Sequence, residues 1–430
     1  MLEVGASKVR ITPPIGVPMD GYSARDKPCE GVHDHIYARC LVINDGERSL
    51  ALASLDVLYI TGKITEKVRE TVSKETGIPK ESVSVIAVHN HSGPSIVGFH
   101  TTQQMGFLNE YLSLLPGLIS SGIIKAFNSK RRAKVGYGKG EVKGWSINRR
   151  RPLDGKIDNE TIAVGFEDEK GRLVSALVNY TCHAVVLGAN NFMISGDYPG
   201  YVSRTVEKVE GGICLFLNGA FGNINPLTPK THIERVYDRT VGGFDDAIRM
   251  GRAIGGEALK ILNSVIFRND LTLALANRRV RLKLRSIPET SNEEIAALEA
   301  KLKEVSGREA NNIKFKLLTA RYSNFIRNYY PSGFADVEVQ GFRIGNFVAV
   351  LLPGEDFVEL GLMIKSYSKD NVTMVIGCAN ELLGYVPTEE AFNEGGYEVN
   401  LPVCILERDA GKLLVEAACR VIDDLLRFPA

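Results

Sequence analysis

The sequence predicts an α/β protein: a mixed, largely internal β-sheet flanked by helices, with an inserted helical pair. Three observations carry that prediction. Short β-branched, apolar runs alternate along the chain with longer runs of helical period. Asn44-Asp-Gly46 and Asp168-Glu-Lys-Gly171 join strand-like runs directly, which adds antiparallel hairpins to a sheet otherwise built from crossovers. Ser291-Asn-Glu-Glu294 is a capping box that opens a helix between sheet elements.

In chain order, strands are expected over 36–44 and 49–56, either side of the Asn44 turn, and a helix over 62–76. A strand over 82–89 and a helix over 107–127 follow, then strands over 161–167 and 173–183 around the Asp168 turn. The next runs read as a helix over 198–209, a strand over 213–218 and a helix over 244–264. The capping box starts a helix over 292–305, with Ile295, Leu298 and Leu302 on one face. With 313–325 it forms the inserted pair, about 291–327. Strands over 337–344, 347–352 and 372–376, with helices over 356–366 and 412–426, complete the pattern. No low-complexity linker and no repeat of solenoid period divides the chain, so 1–430 is expected to be a single domain.

Composition narrows the function. With 430 residues, 44% of them hydrophobic, the chain can bury a large core. A formal charge of +1 argues against a nucleic-acid partner. No apolar run is long enough for a transmembrane segment, and the N-terminus lacks the basic-then-apolar pattern of a secretory signal, so a cytoplasmic location is expected. The seven cysteines form no C-x-x-C pair, which excludes thiol zinc ribbons and thioredoxin chemistry. Walker A, dinucleotide and nucleophile-elbow fingerprints are absent.

The chemistry-bearing residues lie where strands run out. His89 and His91 end the 82–89 strand, on one face if the chain stays extended, just before Ser92-Gly-Pro94. They are either a metal pair or strand-end histidines satisfied by backbone groups. A zinc enzyme needs about three protein ligands and one open position, so other ligands must come from elsewhere. His183 ends the 173–183 strand in a similar place, as a ligand or as a core histidine bonded to a carbonyl. Glu355 follows the buried 347–352 run and Pro353-Gly354, as a ligand or as a complement to the helix dipole. Tyr385 and Tyr397 lie in loop-like stretches, where a lone tyrosine is more often packing. Arg149, in Asn148-Arg-Arg-Arg-Pro152, reads as a solvated basic turn or as a clamp on a carboxylate, phosphate or oxyanion. Asn225 sits in a turn-rich stretch after the 213–218 strand, a plain loop or backbone amides brought near a ligand.

Taken as an ordered set, these stretches resemble the catalytic domain of the neutral/alkaline non-lysosomal ceramidase family. The likeness runs through Ile11-Thr-Pro-Pro14, Met19-Asp-Gly-Tyr22, Gly31-Val-His33 and His89-Asn-His-Ser-Gly-Pro94. It continues through Asn148-Arg149, His183, Gly219-Ala-Phe-Gly-Asn-Ile-Asn-Pro226, Pro353-Gly-Glu355, Tyr385-Val-Pro-Thr388 and Tyr397-Glu398. The resemblance implies that His89, His183, Glu355 and Tyr385 hold Zn²⁺, and that His91, Arg149 and Tyr397 line the scissile amide. It places Asn225 where the family has a serine tied to ceramide hydrolysis, as a substrate-binding group. The family hydrolyses ceramide to a fatty acid and sphingosine. A zinc-dependent hydrolase is therefore expected, cleaving an amide of a small-molecule or lipid-like N-acyl substrate with metal-activated water. With Asn225 in place, an N-acyl compound other than ceramide is the expected substrate. Two alternatives stand beside it: a zinc esterase or hydrolase of a small polar substrate, and a non-catalytic metal- or ligand-binding relative. The family's C-terminal immunoglobulin-like domain is not expected here.

Overall fold

The structure is a computed structural model and describes residues 1–97, 107–233 and 242–428. One connectivity occurs three times. In the first unit β1 (Glu3–Arg10), β2 (Tyr37–Asn44) and β3 (Ser49–Leu55) form an antiparallel meander. Helix α1 (Gly62–Thr76) then crosses to β4 (Val83–Ala87), parallel to β3, and α2 (Leu108–Asn128) follows. The second unit repeats this with β5 (Arg131–Glu141), β6 (Glu160–Asp168), β7 (Leu173–Tyr180), α3 (Asp197–Glu210), β8 (Ile213–Asn218) and α4 (Phe244–Leu262).

The third unit begins with β9 (Leu273–Lys283), followed by the inserted pair α5 (Asn292–Glu304) and α6 (Gly307–Tyr329). It continues with β10 (Phe334–Ile344), β11 (Phe347–Leu351), α7 (Val358–Tyr367), β12 (Val372–Ile376), α8 (Glu389–Glu394) and α9 (Ala410–Leu426). Its pairings are again antiparallel, antiparallel and parallel. The first two units share one eight-stranded sheet, β8-β7-β6-β5-β1-β2-β3-β4; the third is a four-stranded sheet, β9-β10-β11-β12. This is the mixed, helix-flanked α/β architecture the sequence predicts.

Hydrophobic burial explains the assembly. Strands β4, β7 and β11 are buried along their whole length, as continuous apolar strands in a helix-covered sheet should be. Val4, Ile86, Phe166, Leu215, Phe342 and Met374, drawn from all three units, meet in one central core. Separate clusters lie under the helices of each unit. The parallel fourth strands converge at their C-terminal ends. Ala87 N donates to Cys378 O (3.1 Å), Gly377 N to Asn218 O (3.0 Å), and Asn218 Nδ2 to Val88 O (3.2 Å).

Strands β1, β5 and β9 were not expected from the sequence pattern. Each is diluted by glycine, alanine or charge, and β9 exposes several of its residues. In β5 the glycines have a packing reason. A Cβ on Gly136 would stand 2.9 Å from Val265, and one on Gly138 would stand 3.0 Å from Ile261. The strands expected over 82–89 and 173–183 stop at Ala87 and Tyr180, so both histidines lie on the loops beyond. The capping box forms as expected: Ser291 Oγ accepts from Glu294 N, and the Glu294 carboxylate accepts from Ser291 N.

Candidate metal centre

Beyond β4 the backbone of His89 takes a left-handed conformation, φ 62°. Such strain in a non-glycine residue costs of the order of 1 kcal/mol or more and gathers at functional sites. Cys378 (φ 53°) and Asn380 (φ 68°) share it in the turn after β12, and Cys378 Sγ lies 3.8 Å from His89 Nδ1. The loop continues with a bridge between Asn90 and Ala184, where His91 N donates to Ala184 O (3.2 Å). That bridge brings the first unit's histidines beside His183 of the second. Glu355 and Tyr385 are cross-strand partners in a short parallel ladder, Glu355–Asp356 against Tyr385–Val386.

Hydrogen bonds set the tautomers. His89 Nδ1 is 3.0 Å from Leu58 O, and His183 Nδ1 is 3.0 Å from both Phe221 O and Ile224 O. A carbonyl only accepts, so each Nδ1 carries the hydrogen and, in the neutral ring, each Nε2 presents a lone pair. Those lone pairs face Glu355 Oε2 at 3.2 Å from His89 and 3.4 Å from His183. Tyr385 Oη is 3.3 Å from His183 Nε2. Burial, with the nearby Arg149, pushes His183 down to about 4 and keeps it neutral. Glu355 Oε2 is buried without an aligned hydrogen-bond donor among the described residues. Two imidazole lone pairs and a carboxylate oxygen at this separation repel one another unless a cation lies among them. This is how a metal site is built, with backbone carbonyls orienting the ligating rings.

His91 is buried, and neither ring nitrogen has a hydrogen-bond partner among the described residues. Its ring centroid lies 4.8 Å from that of His89 and 6.0 Å from that of His183. Burial, reinforced by the neighbouring imidazoles, drives its pKa well below the usual histidine value. Gly21 (φ 102°) makes room for it, since a Cβ there would stand 2.2 Å from His91 Nδ1.

Arg149 is buried, so the basic turn is solvated only from Arg151, which is exposed. Arg149 donates to Glu398 (2.7 Å), Asn225 Oδ1 (3.2 Å), Gly222 O (2.9 Å) and Tyr385 Oη (2.9 Å). Burial raises the Tyr385 phenol strongly, and Arg149 opposes that rise. Tyr397 is 48% exposed, its ring 5.9 Å from that of Tyr385. All eight residues singled out from the sequence therefore gather in one place. Glu398 was quoted there without a role; fully buried between Arg149 and Arg150, it anchors the guanidinium that meets Tyr385. A lone acid beside a loop tyrosine, with a triple-arginine turn elsewhere, was its only signal.

Fold and donor set together define an α/β protein whose strand ends carry a cluster fit to hold a metal ion. Residues 2–214, just under half of the chain, match the family model described as neutral/alkaline non-lysosomal ceramidase, N-terminal. His89, His91, Arg149 and His183 fall inside the matched segment; Glu355, Tyr385 and Tyr397 lie beyond it. The chain is 23% identical to neutral ceramidase 2 of Arabidopsis thaliana, over 47% of this chain and 30% of that protein, so it spans less than a third of that relative. It is 23% identical to the neutral ceramidase of Mycobacterium tuberculosis, over 88% of this chain and 70% of that one. The crystal structure of neutral ceramidase from Pseudomonas aeruginosa superposes over 100% of this chain and 75% of its own, with TM-score 0.75 and 22% identity. That likeness carries the fold through the third unit.

Proposed function

We propose that this chain is a zinc-dependent hydrolase that cleaves the amide bond of a small-molecule or lipid-like N-acyl substrate. One observation carries the reading. Two imidazole lone pairs converge on a carboxylate oxygen at 3.2 and 3.4 Å, with Tyr385 alongside. Two histidines, a glutamate and a tyrosine suit a borderline cation such as Zn²⁺. Bound there, zinc would supply a Lewis acid and water activated at neutral pH. The relatives' name, ceramidase, supports an N-acyl amide as the substrate class.

The protein's own groups do the rest. The carbonyls of Leu58, Phe221 and Ile224 keep both Nε2 atoms available. Arg149 donates to the Tyr385 oxygen, which favours the phenolate, and Glu398 fixes Arg149. Tyr397, half exposed beside Tyr385, donates to the carbonyl oxygen as charge develops on it, typically worth ~3 kcal/mol for a preorganised donor. His91, without a hydrogen-bond partner of its own among the described residues, takes a proton from the attacking water and passes it to the leaving amine. Asn225 orients Arg149 through its Oδ1 at the edge of the substrate site; as an amide it is no nucleophile, and the scheme needs none.

A second reading has its own observation. The ligand atoms of His89, His91 and His183 lie within 4.8 Å of one another, which would make His91 a third imidazole ligand. Elemental analysis of protein purified without chelator should find one zinc per chain, with chelator-sensitive cleavage of one or more N-acyl amides in a panel with matched esters. Substoichiometric metal overturns the proposal. Cleavage of the esters alone turns it toward the esterase alternative, and full metal without turnover toward a binding protein.

A further inference from the structure

The loop between β1 and β2 buries a guanidinium that makes no ion pair with a carboxylate among the described residues. Arg25 is 6% exposed. Its Nη1 donates to Asp20 O (2.6 Å) and its Nε to Asn191 O (3.2 Å), while Nη2 is buried without a partner among the described residues. Among the described residues no carboxylate lies within ion-pair distance of it, whereas buried Arg39, Arg69 and Arg149 each have one. Burial pulls its pKa down to about 10, although Tyr22 and the Asp20 carboxylate oppose the fall, so its lost hydration is only partly replaced. An uncompensated buried charge is expensive unless a partner arrives with a ligand.

Its position says which ligand. The guanidinium carbon lies 4.9 Å from the Tyr22 ring centroid, and the Tyr22 ring lies 5.1 Å from that of His91. Tyr22 is held in place by its hydroxyl, which donates to Leu187 O (3.1 Å). Metal cluster, His91, Tyr22 and Arg25 thus form one continuous row. If His91 protonates the leaving amine, Arg25 stands on the amine side of the scissile bond.

We infer that Arg25 binds a carboxylate on the amine portion of the substrate, so that the enzyme selects N-acyl amino acids over neutral N-acyl amides. The assignment rests on the hydrolase reading above. A guanidinium meets a carboxylate through parallel N–H donors, and Nη2 is a donor left over for it.

The test compares N-lauroylglycine and N-lauroyl-γ-aminobutyrate, each with its neutral carboxamide counterpart, on the zinc-loaded protein. At one spacer length or both, the acid should exceed its amide in kcat/KM by on the order of tenfold or more, chiefly through KM. That ratio should fall to about one in Arg25→Gln and partly return in Arg25→Lys. Calorimetry of the same four compounds on metal-free protein supplies a readout independent of turnover. Equal cleavage of acids and amides by the unaltered protein overturns the Arg25 assignment and leaves the hydrolase reading standing. Arg25-dependent binding of an acid that is never cleaved sustains the assignment and removes the hydrolase reading. If Arg25→Gln does not fold, the acid-to-amide ratio of the unaltered protein decides alone.

Discussion

At His89 the backbone turns left-handed, so its ring and that of His91 meet edge to face at 4.8 Å and do not share the direction that residues i and i+2 of an extended chain would. An extended strand would point both rings to one side. Instead His89 Nε2 meets Glu355, while His91 lies against Tyr22. The two are therefore expected to fail differently. His89→Ala should lose zinc and activity together. His91→Ala should keep its zinc and lose roughly 10²- to 10⁴-fold in rate, the usual range for a positioned acid–base group. Metal content and turnover of both variants, with circular dichroism to confirm folding, check this. Equal loss of zinc from both would make His91 a ligand.

At the scale of elements, α3 depends on a carboxylate from a distant loop. Asp34 accepts from Gly196 N (3.0 Å), just before the helix, and from Arg204 Nη1 (2.7 Å), inside it. Ser195 also donates to Asp34, and Ser195 N bonds Ser92 O (3.0 Å), so the clamp reaches the loop of His91. Burial works to raise the Asp34 carboxyl, and Arg204, Ser195 and Gly196 outweigh it, leaving its pKa below the ordinary value. A depressed folded-state pKa contributes stability above the unfolded value near 4, lost as pH falls through the folded one. Asp34→Asn should cost about 1.5–3 kcal/mol at pH 7, and the gap to the unaltered protein should narrow as pH falls below about 4. Denaturant titrations across that range test it; a gap independent of pH would show that the charge contributes nothing. Helices were the elements most legible in the sequence. Gly62–Thr76 was read to the residue, because the Thr61 side chain caps Ile64 N and Gly77 ends the helix with φ 75°.

For the whole molecule, the decisive feature is that three units of like connectivity place the ends of β4, β8 and β12 together. Asn218 holds that junction. Its side chain bonds Val88 O and both backbone groups of Cys182, next to His183, and its carbonyl accepts from Gly377 N. Asn218→Ala leaves several buried backbone groups without partners, a loss of about 3 kcal/mol or more. It should lower Tm by several degrees and reduce zinc content, although the Asn218 side chain bonds Val88 and Cys182 and none of the four proposed ligands. Unchanged Tm and full metal would mean that the three strand ends hold together without it.

The sequence by itself determined the α/β class, the two hairpins, the helical pair and the stretches that carry the chemistry. Those features rest on local physics: periodicity, turn residues and caps act over a few neighbouring residues, and the chemistry-bearing stretches follow strands readable as apolar runs. It did not determine β1, β5 or β9, whose glycines and charges make sense only against the elements packed on them. Nor did it determine which rival reading of each site residue applies. Whether Arg149 is a solvated turn or a buried clamp depends on Glu398, 249 residues away. Which nitrogen of His89 presents a lone pair depends on Leu58 O behind it, and what that nitrogen faces is Glu355. These are long-range electrostatic contacts between loops of different units, and only the tertiary structure brings those loops together.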